Sequence, residues 1–145
     1  MPVQCARESI KITSNVKNIR KVSPRIISLL QERNIDNAYI FDIRLSVEET
    51  VLNAIEHGNG KNEKLTVEVT FAIDDQKIEI SVEDQGPGFD HKSVPDPTKS
   101  GNILRSHGRG VYLVHKLMDK VEYNDKGNKV KLTKYFSSQP GVNGV

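Results

Sequence analysis

Two alternating runs joined by a short polar connection constrain this chain more than any other feature. Leu65, Val67, Val69, Phe71 and Ile73 alternate with polar or small residues. Ile78, Ile80 and Val82 alternate with Glu79, Ser81 and Glu83, and Asp74-Asp75-Gln76-Lys77 lies between the two runs. A period of two puts all the apolar side chains of a strand on one face, so the pair reads as a hairpin with one apolar side. That side has to be covered, and the remaining segments must supply the cover.

Helical periodicity supplies it. Wound at about 100° per residue, the stretch 45–59 puts Leu45, Val47, Val51, Leu52, Ala54 and Ile55 on one half. Ser46, Glu49, Thr50, Asn53, Glu56 and His57 fall on the other, and Glu48 sits at the edge of the apolar half. This helix is expected from about Ala38 to His57, with Asp36 as a cap and Gly58-Asn59-Gly60 as its stop. Ahead of it, Ile10 and Ile12 suggest a short strand. Val16, Ile19, Val22, Ile26, Ile27 and Leu30 then keep helical spacing to about Arg33, and Pro24 must kink that segment or start its second half. After the hairpin, a helix with Val111, Val114, Leu117 and Met118 on one face precedes a closing hairpin, Val121–Tyr123 and Val130–Phe136. The expected fold is α+β: a two-layer α/β sandwich whose mixed, mostly antiparallel sheet carries helices on one face. Residues 1–136 are expected to form a single domain and 137–145 a flexible tail.

Composition narrows the function classes. A net charge of +2 gives no electrostatic ground for nucleic-acid binding, so no direct nucleic-acid partner is expected. Cys5 is the single cysteine, which rules out an intrachain disulfide. No apolar run approaches the length of a membrane span and the N-terminus lacks a secretory apolar core, so a cytoplasmic protein without a membrane partner is expected.

Three short patterns carry the chemistry. Glu49, Asn53 and His57 recur at four-residue intervals and stack along one helical stripe. Asp84-Gln85-Gly86-Pro87-Gly88 places a carboxylate at a strand end before two glycines, where backbone can approach a ligand closely. Gly108-Arg109-Gly110 opens a helix whose free N–H groups favour phosphate. Between the last two, residues 91–107 show little periodicity, and loops of that length in a compact domain are often functional lids. Each pattern alone is ordinary: a solvated helix face, a tight turn, a helix start.

In this order, with Ala54 after Asn53, they resemble the three motifs of the Bergerat-type (GHKL) ATP-binding fold. Within that superfamily the chain is most similar to the anti-sigma factor serine kinases of bacterial partner-switching systems, over about Ile10 to Phe136. The resemblance implies ATP and Mg²⁺ as cofactors. Asn53 would hold the metal through its side-chain oxygen, and Asp84 would accept a hydrogen bond from the exocyclic amine of adenine. Gly86 and Gly88 would let the chain pass beside base and ribose, while Gly108 and Gly110 would offer N–H groups to phosphate. Glu49 would be the general base for the attacking hydroxyl. Arg105 first, then Arg109 or Lys99, would neutralise phosphate charge. His57 completes the helix motif in a capping or supporting position.

The implied function is an ATP-dependent serine kinase that sequesters a sigma factor and phosphorylates a STAS-type anti-anti-sigma protein. A homodimer or sigma contact through the surface near Val16–Arg33 is part of the same implication. The alternatives are a non-catalytic ATP-holding switch and the catalytic domain of a histidine kinase, although no dimerisation helix pair precedes the motifs here. The lid between Asp90 and Gly108 is shorter and poorer in glycine than in larger members of the superfamily.

Overall fold

In a computed structural model, residues 5–87 and 106–136 are described. Strand β1 (Ala6–Thr13) leads into a 3-10 turn (Val16–Lys21) and helix α1 (Ser23–Glu32). Helix α2 (Asn37–Asn53) continues directly into a π turn (Ala54–Gly58). The hairpin β2 (Thr66–Ile73) and β3 (Lys77–Glu83) follows, then helix α3 (Ser106–Leu117) and the hairpin β4 (Lys120–Tyr123) and β5 (Lys129–Tyr135).

The five strands lie in the order β1-β2-β3-β5-β4. Every described pairing is antiparallel, so the parallel element allowed for in a mixed sheet is not found among the described strands. Register decides which residues share a face. Ile10 opposes Val69, Val69 opposes Val82, and Val82 opposes Val130. That row and the parallel row Ile12–Val67 point to the helices. The intervening residues, such as Ser9, Thr70, Ser81 and Lys131, form a polar outer face. Ser9 and Thr70 meet there through their hydroxyls at 3.2 Å.

The core lies between the inner face and the helices. Phe71, Ile73, Ile78, Ile80 and Leu132 from the sheet and Ile26, Leu30, Ile43, Val47, Val51 and Ile55 from the helical layer belong to one buried cluster. Local chemistry sets the helix starts. The Asp36 carboxylate accepts from the Ala38 N–H at 2.8 Å and caps α2. Pro24 sits in the first turn of α1, where its missing N–H costs nothing; of the two expectations, a kink or a second start, the second holds, with a 3-10 turn followed by α1.

α2 departs from simple amphipathicity. Ser46 and Thr50, placed on the polar half by periodicity, are buried, because α3 and α1 both pack against α2 and its exposed arc is narrow. Glu48 is half-buried and accepts from the buried Ser23 hydroxyl at 2.8 Å. On the opposite flank, Lys134 of β5 lies beneath the helices, donating to the Leu117 carbonyl at 2.5 Å and to Asp42 at 3.5 Å. That one ammonium joins the end of α3, the start of α2 and the sheet. Among the described residues no helix is long and apolar enough to cross a membrane.

Among the described residues Phe71 is the largest fully buried side chain, on a strand with partners on both sides. Phe71→Ala is expected to lose about 3–5 kcal/mol, the usual cost of an aromatic truncation that leaves a cavity. Urea unfolding checks this, and a loss below about 1 kcal/mol would contradict a rigid core there.

Candidate functional site

The site is built where the central helix ends against the loop after β3. α2 keeps α-helical geometry to Asn53 and then widens. Asn59 N–H donates to the Ala54 carbonyl five residues back, at 2.8 Å, and Lys61 N–H to the Ile55 carbonyl at 2.7 Å. Such wide turns are rare and recur at functional sites. Here the wide turn carries Gly58 to the loop.

Gly58 then touches Asp84. A Cβ built on Gly58 would overlap the Asp84 carboxylate, and one on Gly86 would overlap the Gly58 carbonyl oxygen. Two backbone segments and the Asp84 carboxylate therefore meet where only hydrogens fit. Asp84 follows the inward-facing residues Ile80 and Val82 at intervals of two, so its side chain turns towards the helical layer. Its Oδ1 accepts from the Gly86 N–H at 2.9 Å. Among the described residues no hydrogen bond reaches its Oδ2. Burial raises the carboxyl above its ordinary pKa, and the Gly86 N–H acts against that rise.

Glu49 and Asn53 are half-buried, one turn apart on α2. On a helical wheel they continue the flank marked by Asp42, which Lys134 ties to the end of α3. α3 packs against α2 and holds Gly108, Arg109 and Gly110 in its first turns; it begins at Ser106, two residues before the expected GxG opening. His57 lies inside the π turn and is exposed. Because a π turn holds more residues than an α turn, His57 is not on the regular stripe that Glu49 and Asn53 begin. Gly88, Arg105 and Lys99 lie outside the described residues, as do most of the lid and the expected tail.

Sequence reasoning missed three participants. Gly58 read as a helix stop, yet its missing side chain makes room for Asp84. Asn59 read as a turn residue, yet it is 4% exposed and bonds Ser14, Thr66 and Gln85. Asn128 read as a hairpin turn, yet its amide holds the Asp84 carbonyl at 3.0 Å. A glycine directly after the histidine of the helix motif was the available signal for Gly58. The two asparagines left none, because their partners are distant in sequence.

The arrangement suits a ligand that presents an N–H donor near the β3 end and negative charge near α3. A carboxylate oxygen without a described donor, beside two glycines, can receive such a donor. The first turn of α3 offers backbone N–H groups to an anion.

Two outcomes follow. Gly86→Ala meets a backbone carbonyl that cannot rotate away, so it should cost about 1–3 kcal/mol by overpacking. Gly58→Ala meets a side chain that can rotate, so it should cost less stability but still displace Asp84 and lose ligand binding. Denaturant melts and ligand titrations on both variants test that order. The second outcome concerns pH. The folded protein holds the Asp84 proton more tightly than the unfolded chain, so this group's contribution to stability falls as pH rises through the carboxylate range. Ligand-free Asp84→Asn should therefore be more stable than the parent at neutral pH, with the gap closing as pH is lowered. Urea melts at several pH values would contradict this if the variant were less stable by a constant amount.

Residues 12–134 match the family described as the histidine kinase-like ATPase domain. Over 108 residues, 69% of this chain and 68% of the relative, the chain is 31% identical to the serine-protein kinase RsbW of Staphylococcus aureus strain MSSA476. The same figures, 31% over 108 residues, hold for the serine-protein kinase RsbW of Staphylococcus epidermidis. The crystal structure of the RsbU and RsbW domains of a Mycobacterium tuberculosis protein is alike with a TM-score of 0.61 and 20% identity, over 90% of this chain and 32% of that one. This chain thus spans about a third of that longer chain, and the likeness carries the fold. The match across nearly all of the described residues, together with the helix end seated on Asp84, leads to one conclusion: the chain belongs to the histidine kinase-like ATPase domain family, among the relatives of the RsbW serine-protein kinases.

Proposed function

We propose that this chain is an ATP-dependent protein serine kinase that acts as an anti-sigma factor. It phosphorylates a small STAS-type antagonist and, in the alternative state of the switch, holds a sigma factor. The observation that carries this reading is the pairing of Glu49 and Asn53 on one flank of α2 with Asp84 seated on Gly58 at the end of the same helix. The staphylococcal relatives, named serine-protein kinases, support the reaction class.

The residues fit the nucleotide. Asp84 Oδ2 accepts from the exocyclic amine of adenine, and guanine, with a carbonyl at that edge, is repelled by the carboxylate. The closeness of Gly58 and Gly86 leaves no room for a further side chain between the helix end and the loop beside Asp84. Among the described residues no three His, Cys, Asp or Glu side chains gather as a metal cage. The amide oxygen of Asn53 suits Mg²⁺, a hard cation that takes its other ligands from phosphates and water. Bound ATP supplies the transferable phosphoryl group.

What the chain contributes is positioning and one proton transfer. Glu49 takes the proton of the attacking serine hydroxyl on a carboxylate oxygen. Asn53, one turn on, would hold Mg²⁺ through its amide oxygen, and the ion would supply charge neutralisation. Gly108, in the first turn of α3, presents its N–H to phosphate, whereas Gly110, expected to do the same, lies a turn inside a helix that begins at Ser106 and spends its N–H within that helix. Arg105, with Arg109 and Lys99 in reserve, balances the phosphate charge; for transfer of this kind, alignment and neutralisation supply most of the catalysis.

Glu49→Gln separates a kinase from a non-catalytic binder. A positioned base contributes about 10²- to 10⁴-fold in rate. It adds little to ground-state affinity, because only contacts that strengthen in the transition state speed the reaction. The variant should keep the thermal stabilisation by ATP and lose transfer of labelled γ-phosphate to a STAS-type partner captured from the native cell. Full-rate transfer by Glu49→Gln would remove Glu49 from the role. Tight ATP binding without transfer by the parent would favour the binder, and label on histidine would favour the histidine-kinase reading.

A further inference from the structure

Three consecutive peptide N–H groups after β3 each have a dedicated acceptor. Asp84 N–H donates to the Asn128 carbonyl at 2.9 Å. Gln85 N–H donates to the Asn59 side-chain oxygen at 2.8 Å, and Gly86 N–H to Asp84 Oδ1 at 2.9 Å. The loop that carries the carboxylate is therefore pinned from both sides.

Asn128 pins one side in an unusual way. β3 and β5 pair as far as Glu83 and Lys129, so Asp84 and Asn128 are the next partners in register. A regular ladder would return a backbone N–H to the Asp84 carbonyl. The Asn128 backbone N–H instead serves the Asn124 side chain at 3.1 Å. The Asn128 side-chain amide takes its place, donating to the Asp84 carbonyl at 3.0 Å. Its own oxygen is fixed by the Asn124 amide at 2.8 Å, and Asn124 also accepts from Gly127 at 2.8 Å. Gly127 takes φ +82°, a left-handed turn conformation two residues before β5 begins.

Asn59 pins the other side from the helix end. Its amide donates to the Ser14 hydroxyl at 2.8 Å and to the Thr66 carbonyl at 2.9 Å. Thr66 N–H in turn donates to the Gln85 side-chain oxygen at 2.7 Å, closing a ring between β2, the π turn and the loop.

We propose that Asn128 and Asn59 are positioning residues that set base selectivity by holding the Asp84 loop in register with the base. Neither residue contacts the nucleotide. The inference rests on Asp84 reading the exocyclic amine, as proposed above. Oδ1 already accepts from Gly86 and Oδ2 has no described donor, so Oδ2 is the oxygen with the most capacity for the base, and its direction depends on where the Asp84 peptide sits. A displaced peptide keeps the carboxylate but misaims it.

The test compares ATP with inosine triphosphate, which has a carbonyl in place of the amine, by calorimetry on folded protein. Asn128→Ala should weaken ATP binding on the order of tenfold, because the part-buried Asp84 carbonyl loses its donor and its peptide can shift. Inosine triphosphate binding should stay nearly constant, so the ATP preference shrinks. Asn128→Asp, which keeps the shape but cannot donate at neutral pH, should do the same and serves if the alanine variant fails to fold. Equal weakening of both nucleotides, or an unchanged preference in a folded variant, would overturn the positioning role. Asp84→Asn is measured alongside. If it leaves the preference intact, the adenine role of Asp84 fails; if it removes the preference while both Asn128 variants keep it, only the positioning role fails.

Discussion

At Gly58 and Gly86 the end of the central helix and the loop after β3 approach each other more closely than any side chain permits. That contact fixes the depth at which the helix sits over the sheet. It also explains the wide turn at 54–58, since the helix must shift its last residues to bring a glycine over Asp84. Backbone packed on backbone leaves polar groups that need partners, and they find them in asparagines. Asn59, buried between the turn and β2, satisfies groups on both sides of the junction. The site and the core are consequently one piece of structure.

α2 serves both. Val47, Val51 and Ile55 bury its inner face in the cluster shared with the sheet, and the neighbouring flank exposes Glu49 and Asn53 in part. A helix fixed by this much apolar contact offers its side chains little freedom, which the roles proposed for Glu49 and Asn53 require. Lys134 extends the same logic to the opposite end of the flank, where one ammonium answers the last carbonyl of α3 and the Asp42 carboxylate. The half-buried Asp84 works against stability, because burial disfavours its charge. The adenine contact proposed for Asp84 would offset that cost.

The fold was legible wherever a segment's own period decided its environment. The alternation in 65–73 and 78–83 became β2 and β3 with their apolar residues inward, Asp36 became the cap of α2, and Pro24 fell in the first turn of α1. The three motifs also stood out, because their spacing is local. Periodicity failed where a second neighbour intervened. Ser46 and Thr50 read as polar surface, but helices packed from two directions leave α2 only a narrow exposed arc. His57 read as the third member of a stripe, but an extra residue in the last turn broke the regular spacing.

By itself, then, the sequence determined the elements, the apolar inner face of the sheet and the residue types available to the site, since these depend on periods of two and three to four residues within one segment. Tertiary structure alone decided that Gly58 lies on Asp84, that Asn59 and Asn128 grip the same loop from opposite sides, and that Lys134 meets Asp42 across most of the chain. Each of these is a contact between segments with no shared period. Its geometry follows from how the helices settle on a twisted sheet, and no local pattern encodes that.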